Sequence, residues 1–283
     1  MRTDLALSLV LLSSVVGCQE YGLKNKAEED LPAEDSGTPP VDTHTGDTAP
    51  VDTDTDTGEV VVEDSPPPED TAVVATEPVY INTGDMLYSY DPSTNTSSRI
   101  GAFRSGGNSV TDMTDIAIDL SGHMYGVSFT KLYAINPSTA EATFVASVGD
   151  SMTGLTFVSD GRLVGAGSKV SFVDTSSGAL TTLVPAGRYT TSGDIIGLPD
   201  GMLYWTVEGG DDLVQVDPGS GTTVRVGSIG VSALYGLGYA DGKMLGFTSG
   251  GRVVTIDETT ARSSSASSLS GSWWGATTNP VLW

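Results

Sequence analysis

From Val79 onward the chain repeats one short phrase, an apolar run closed by Asp or Asn. The copies are Leu87-Tyr-Ser-Tyr-Asp-Pro92, Leu132-Tyr-Ala-Ile-Asn-Pro137, Val170-Ser-Phe-Val-Asp-Thr175, Leu213-Val-Gln-Val-Asp-Pro218 and Val253-Val-Thr-Ile-Asp-Glu258. The closing residues fall at 91, 136, 174, 217 and 257, so the spacings are 45, 38, 43 and 40. A second marker keeps the same phase: turn glycines at 122, 161, 201 and 242, spaced 39, 40 and 41. Three of these four turns read Asp-Gly, the pair suited to a two-residue hairpin with positive φ at both central positions. A fixed period of this size describes units that cannot bury their own faces and must stack on neighbours.

Each unit reads as four short strands. In one unit these are Thr153 to Val158, Arg162 to Ala166, Val170 to Asp174 and Leu180 to Val184. No window beyond the first 17 residues sustains a 3.6-residue apolar stripe, so helix is not expected. Four strands in roughly 40 residues make the blade of a β-propeller. The expected fold is therefore all-β, a five-bladed β-propeller of four-stranded blades spanning 79–283. Inner strands are predicted to begin near Thr114, Gly154, Asp194, Gly236 and Gly275. The last has too little chain after it to finish a blade. The missing strands are supplied from the other end: Val79 to Asn82, Met86 to Asp91 and Ser97 to Phe103. One sheet built from both ends closes the ring and covers edges that would otherwise pair with other chains.

The phrases Ile116-Ala-Ile-Asp-Leu-Ser-Gly-His-Met-Tyr-Gly126 and Lys131-Leu-Tyr-Ala-Ile-Asn-Pro137 resemble repeats of the broad NHL/YVTN-like group of bacterial β-propellers. That resemblance covers 79–283 and implies the fold. The group includes binding modules, scaffolds, lyases and lactonases, so it leaves function open. Its lactonase-type members hold a catalytic calcium with Glu, Asn and Asp side chains in the central channel, a set with no residue-by-residue match here.

The first residues give an address. An apolar run from Leu5 to Val16 is too short to span a bilayer and suits a signal-peptide core over 1–17. Val15-Val16-Gly17-Cys18 resembles the bacterial lipobox, in which the Cys is lipidated and becomes the mature N-terminus. Cys18 is the only cysteine, so it has no internal disulfide partner. Several acyl chains on one residue, at about 0.8 kcal/mol per buried CH₂, make a lasting anchor. Gln19 follows, and the absence of Asp there resembles an outer-membrane address in the bacterial cell envelope.

Residues 18–78 are a different polymer. From 19 to 78 there are 17 Asp/Glu and 2 Lys, a net charge of −15, with frequent Pro and Thr. Such a segment buries too little apolar surface to offset its ordering entropy and is expected to be a disordered tether. Asp52, Asp54, Asp56 and Glu63 fall in a calcium-loop frame, but Thr57 stands where the sharp turn needs Gly; weak cation binding by an acidic tail is the expected behaviour. The acidity excludes nucleic acid as a natural partner.

Chemistry in the ring is sparse. The chain has 2 His and no Cys pair, so zinc and Ser-His-Asp mechanisms lack parts. Aligning the inner strands puts Asp115, Gly154, Asp194, Gly236 and Gly275 at one position. Asp115 and Asp194 are then candidates for the axial channel, where a carboxylate pair would take a calcium ion; no other cofactor is expected. The loops leading there carry Asp112, Arg188, Tyr189, Tyr235, Trp273 and Trp274, candidates for a ligand mouth. The competing reading is structural: the carboxylates cap backbone N–H groups, and the tryptophans pack between blades. The repeated Asp after each phrase is read as a turn former. The expected partners are the membrane, through the lipid, and a protein, glycan or small molecule at the mouth; the expected state is a monomer. The leading expectation is a binding or scaffold module, and the alternative is a metal-assisted lyase or lactonase. Replacing Cys18 by Ser is expected to move the protein from the membrane to the soluble fraction; unchanged membrane retention would rule out lipid anchoring.

Overall fold

The structure, a computed structural model, describes residues 79–209 and 211–279. The leader, Cys18, the acidic tether with its Asp52–Glu63 frame and residues 281–283 lie outside the described residues.

The described chain is all strand and turn, arranged as five blades. The second blade holds Gly154–Phe157, Leu163–Ala166, Val170–Val173 and Leu180–Val184 from the inside outward. The third holds Thr191–Gly197, Leu203–Val207, Asp212–Val216 and Thr223–Ser228; the fourth holds Leu234–Ala240, Lys243–Thr248, Arg252–Ile256 and Ser263–Ser268. In the first blade, Asp115–Ile118 is followed by one 12-residue element, Met124–Ile135, that serves as two strands. Its first part pairs with Asp115–Ile118 and its second with Ala142–Met152. The chain reverses within it: a Cβ on Gly126 would meet the Ile135 side chain, nine residues on.

The fifth blade closes the ring as the sequence suggested. Gly275–Thr277 pairs with Val79–Asn82 in the register Tyr80↔Thr277, Ile81↔Ala276 and Asn82↔Gly275. Met86–Asp91 and Thr96–Ala102 complete the sheet outward. Each inner strand packs on the next, and the fifth returns to the first. A small hairpin, Arg104–Ser105 with Asn108–Ser109, interrupts the link from this blade to the first. No repeat marker announces it.

Strand alternation sends one face of each sheet into each interface. The result is five separate apolar clusters, one per blade interface. Leu87, Ile116 and Met124 join the fifth blade to the first; Leu132, Leu155 and Leu163 join the first to the second. Trp205 fills the next interface, Leu237 with Ile256 the one after, and Ile81, Phe247 and Trp273 the last. Full burial of one such side chain contributes about 1.5–3 kcal/mol.

The turn chemistry explains the repeated phrase. Backbone N–H groups of Ser93, Ser138, Ser176, Gly219 and Thr259 donate to the side-chain oxygens of Asp91, Asn136, Asp174, Asp217 and Asp257 at 2.8–3.0 Å. Four residues after the phrase's closing Asp or Asn, all five turns enter the left-handed region, through Asn95, Ala140, Gly178, Gly221 and Ala261. Hydroxyl and backbone donors hold the Asp91, Asp174, Asp217 and Asp257 carboxyls below the usual range. The Asp-Gly turns differ from expectation. Only at Ala240-Asp-Gly-Lys243 are both central residues at positive φ, Asp241 at 51° and Gly242 at 71°. At Gly122, Gly161 and Gly201 the glycine alone is positive. There the glycine N–H bonds back three residues, as at Gly161 to Val158 (2.9 Å), so the loop is one residue longer than a two-residue hairpin.

Deleting residues 273–283 removes the inner strand of the fifth blade and uncovers Val79–Asn82. The truncated chain is expected to lose cooperative thermal unfolding, followed by circular dichroism; a sharp transition near that of the intact chain would refute closure by shared strands.

Candidate functional site

The inner strands run so close together that the ring has little room at its axis. A Cβ on Gly154 would lie 3.0 Å from the Ile195 nitrogen, and one on Gly236 would lie 2.9 Å from the Gly275 carbonyl carbon. The glycines therefore do not widen a channel; they let neighbouring backbones approach.

The two aligned carboxylates use the remaining space. Asp115 accepts from its own neighbour, Ile116 (2.8 Å), with one oxygen and from Leu155 of the next blade (2.6 Å) with the other. Asp194 does the same with Ile195 (2.6 Å) and Leu237 of the fourth blade (2.5 Å). Each Asp thus reaches past the following blade's glycine to cap a backbone N–H. Both are fully buried. Burial first, and the neighbouring Asp194 second, hold the Asp115 carboxyl well above the usual carboxylate range. Burial pushes Asp194 up to about 7, against hydrogen bonds from Asp115 and from the Leu237, Ile195 and Ala276 backbones. The two carboxyls titrate as a pair, and burial favours their neutral form.

Asn82 stands beside them, fully buried. Its amide nitrogen donates to the carbonyls of Thr83 (3.0 Å) and Met113 (3.1 Å), which fixes its orientation. Its oxygen has no hydrogen-bond partner among the described residues. A methyl group on Gly275 would collide with an Asp115 oxygen and lie 2.6 Å from this Asn82 oxygen, so both abut the same Cα. The ring's axis is therefore a knot of buried oxygens.

Above the knot is a mouth. A cavity of about 390 Å³ is lined by Thr114, Phe129, Thr153, Thr191, Ser192, Gly193, Glu208, Tyr235 and Trp274. Thr114, Thr153, Gly193, Tyr235 and Trp274 each immediately precede the aligned inner-strand position of one blade. Phe129 and Glu208 come from turns between second and third strands, which return to the same face because the strands are antiparallel. Three aromatics stay exposed here, Phe129 at 41%, Tyr235 at 37% and Trp274 at 38%. Phe129 has φ of 51°, a conformation an aromatic residue rarely adopts.

The structure distributes the sequence candidates as follows. Tyr235 and Trp274 line the mouth; Asp115 and Asp194 do not, being buried one residue beyond the lining Thr114 and Gly193. Trp273 is in the core: its ring meets Tyr88 edge-on at 5.3 Å, and its nitrogen donates to the Leu269 carbonyl. Tyr189 is half-buried against Trp205, with the exposed Arg188 guanidinium 5.0 Å from its ring. Asp112 is exposed and, like Arg188 and Tyr189, is not part of the lining. Phe129 and Glu208 were not anticipated. The signal was available, since the repeat places every second-to-third-strand turn on the inner strands' starting face.

No protein-family model matches the chain, and no curated protein matches its sequence. Solved structures do match. A chain in a crystal structure of a nidogen–laminin complex superimposes with a TM-score of 0.51 at 12% identity, over 71% of this chain and 97% of that one. A symmetrical protein described as a case of de novo evolutionary emergence matches with a TM-score of 0.46 at 17% identity, over 70% and 93%. Virginiamycin B lyase from Staphylococcus aureus matches with a TM-score of 0.42 at 11% identity, over 68% and 69%. At 12% identity the first of these likenesses speaks for the fold alone, and with the five blades it makes the described chain a β-propeller.

The axial carboxyls give a pH signature. Their folded-state pKa values are raised, so the proton is held more tightly in the folded chain. Their contribution is fully present below about pH 4, the unfolded Asp value, and is lost as pH rises through about 7. Each unit of elevation costs about 1.4 kcal/mol at high pH. The melting temperature is expected to fall between pH 5 and pH 8, and Asp194→Asn is expected to flatten that fall while lowering stability throughout. A flat profile for the unsubstituted protein would contradict a protonated axis.

Proposed function

We propose that the ring is a binding module carried on a lipid anchor at Cys18, held off the bacterial outer membrane by the acidic tether, and that its ligand enters the aromatic mouth above Asp115 and Asp194. The observation that carries this reading is the convergence of three exposed rings, from three different blades, on one concave site. Apolar rings left in water cost free energy unless something covers them, and a cavity with aromatic walls and a few polar groups is the usual form of a small-ligand site. Phe129 adds weight, because strain of this kind persists where function maintains it. Protein and glycan partners belong to the same proposal where they insert a group of that size.

A second reading is favoured by one observation. The Asn82 oxygen, without a partner among the described residues, stands beside two carboxyls, an arrangement a calcium ion would complete by displacing their protons. The residues would then hold the ion beneath the mouth, where it would supply Lewis-acid assistance to a lyase or lactonase reaction. This reading requires calcium to raise the melting temperature of the unsubstituted protein and not that of Asp115→Ala; no rise leaves the binding module.

A thermal-shift panel of sugars, peptides and small metabolites on the full chain tests the main reading. At least one class is expected to raise the melting temperature in the unsubstituted protein and to fail with Trp274→Ala or Tyr235→Ala. Both residues are over one-third exposed, so each substitution alone is expected to change stability by less than about 1 kcal/mol. Shifts that survive both substitutions would place binding elsewhere. Phe129→Gly is expected to stabilise the turn by relieving its left-handed conformation, about 1 kcal/mol, while weakening the ligand response; a gain in both would separate the strain from binding.

A further inference from the structure

Resting on the reading of the mouth as a binding site, we propose that the group it recognises is an alkylammonium cation, presented by a free small molecule or by a lysine side chain.

The walls are the first argument. Phe129, Tyr235 and Trp274 come from the first, fourth and fifth blades and face one cavity. An aromatic ring carries negative charge on its face, so a cation seated among several rings is attracted by each of them. Alkyl groups on the nitrogen add apolar contact that a hydrated metal ion does not offer.

The charge of the site is the second argument. Glu208 is the one charged side chain among the nine lining residues, and it is acidic. None of the nine is basic. Directly beneath, at positions adjoining Thr114 and Gly193, lie Asp115 and Asp194, whose oxygens turn to the backbone of neighbouring strands. An anionic ligand would meet repulsion from Glu208, the one charged side chain among the nine. A cation would meet a partner carboxylate, Glu208, in the lining. In a concave site with low-dielectric walls such fields are concentrated.

The remaining polar groups are the third argument. Thr153, Thr191 and Ser192 bring hydroxyls, and the Thr114 hydroxyl is taken up by the carbonyls of Val127 (2.9 Å) and Met152 (3.0 Å). Among the nine described lining residues none is Asn, Gln or Arg. A few single hydroxyls beside three rings suit a compact cation with one polar arm. The volume of about 390 Å³ falls in the range of small-ligand pockets.

Calorimetric titration of the full chain with choline and with 3,3-dimethylbutan-1-ol, its uncharged isostere, tests this. Choline is expected to bind at least about tenfold more tightly than the alcohol, the margin that aromatic and carboxylate contacts to a cation provide. Glu208→Gln is expected to weaken choline severalfold and leave the alcohol unchanged. Trp274→Ala is expected to abolish choline binding, and Trp274→Phe to retain part of it, which separates a lost ring from a lost fold. Nα-acetyl-lysine amide binding more tightly than choline would identify a lysine side chain as the source; the reverse order would identify a free ammonium compound. Equal binding of choline and its isostere, or no binding of any ammonium compound, would overturn the inference. If other compounds still give shifts that Trp274→Ala removes, the mouth remains a binding site of different specificity; if none does, both readings fall.

Discussion

The structure depends on three backbone pairings, Tyr80 with Thr277, Ile81 with Ala276 and Asn82 with Gly275. Each of the other blades can form from local hairpins, because its strands are consecutive in the chain. A row of such blades would still leave two terminal faces bare, each as apolar as the interfaces inside. Joining Gly275–Thr277 to Val79–Asn82 removes both faces at once and buries the clusters around Phe247 with Trp273 and around Leu87 with Ile116. The contact spans nearly the whole ring in sequence, so its loop-closure entropy is the largest in the fold, yet that cost grows only logarithmically with length.

Closure with five blades also determines what the centre can be. Five inner strands meet at a narrow axis, and at Gly154, Gly236 and Gly275 any larger residue would strike the neighbouring backbone. Backbone N–H groups of those strands then face inward without a ladder partner. Asp115 and Asp194 resolve this by capping N–H groups across blade boundaries. The solution carries its own tension, since burial penalises the charged form of both carboxyls. Structure and electrostatics are therefore one problem at the axis: the side chains that hold the blades together are also the buried titratable groups next to the residues of the mouth.

Much of this was legible in the sequence, for a physical reason. Blade period, strand order and closure follow from turn residues whose side chains do local work, such as Asp174 accepting from Ser176 and Gly161 adopting positive φ. Local chemistry repeats visibly. The Arg104–Ser109 hairpin was not legible, because an insertion has no counterpart in other blades to mark it. The fates of Trp273 and Trp274 were not separable either. They are adjacent and chemically identical, and only the strand's facing sends one into the core and leaves the other at the mouth. Phe129 and Glu208 were within reach of the repeat, which fixes the face of their turns, but which residue of each turn lines the cavity is decided by turns of unequal length.

The two faces of the ring are built for different tasks. The face bearing the phrase-closing turns is uniform: the same Asx geometry recurs in five blades, and its carboxylates are occupied by their own turns. The mouth-bearing face is varied, with Phe129, Glu208 and Gly84 at comparable turns and Trp274, Tyr235 and Thr153 at comparable strand starts. Uniformity is what folding asks of a repeat, since each turn solves the same local problem. Variation among equivalent positions, joined to exposed aromatics and a residue held at unfavourable φ, is what a repeat acquires when one surface must fit something other than itself. On the proposed reading, a symmetric scaffold with an asymmetric mouth puts recognition on exposed side chains such as Trp274 and Tyr235, while the turns of the opposite face carry stability.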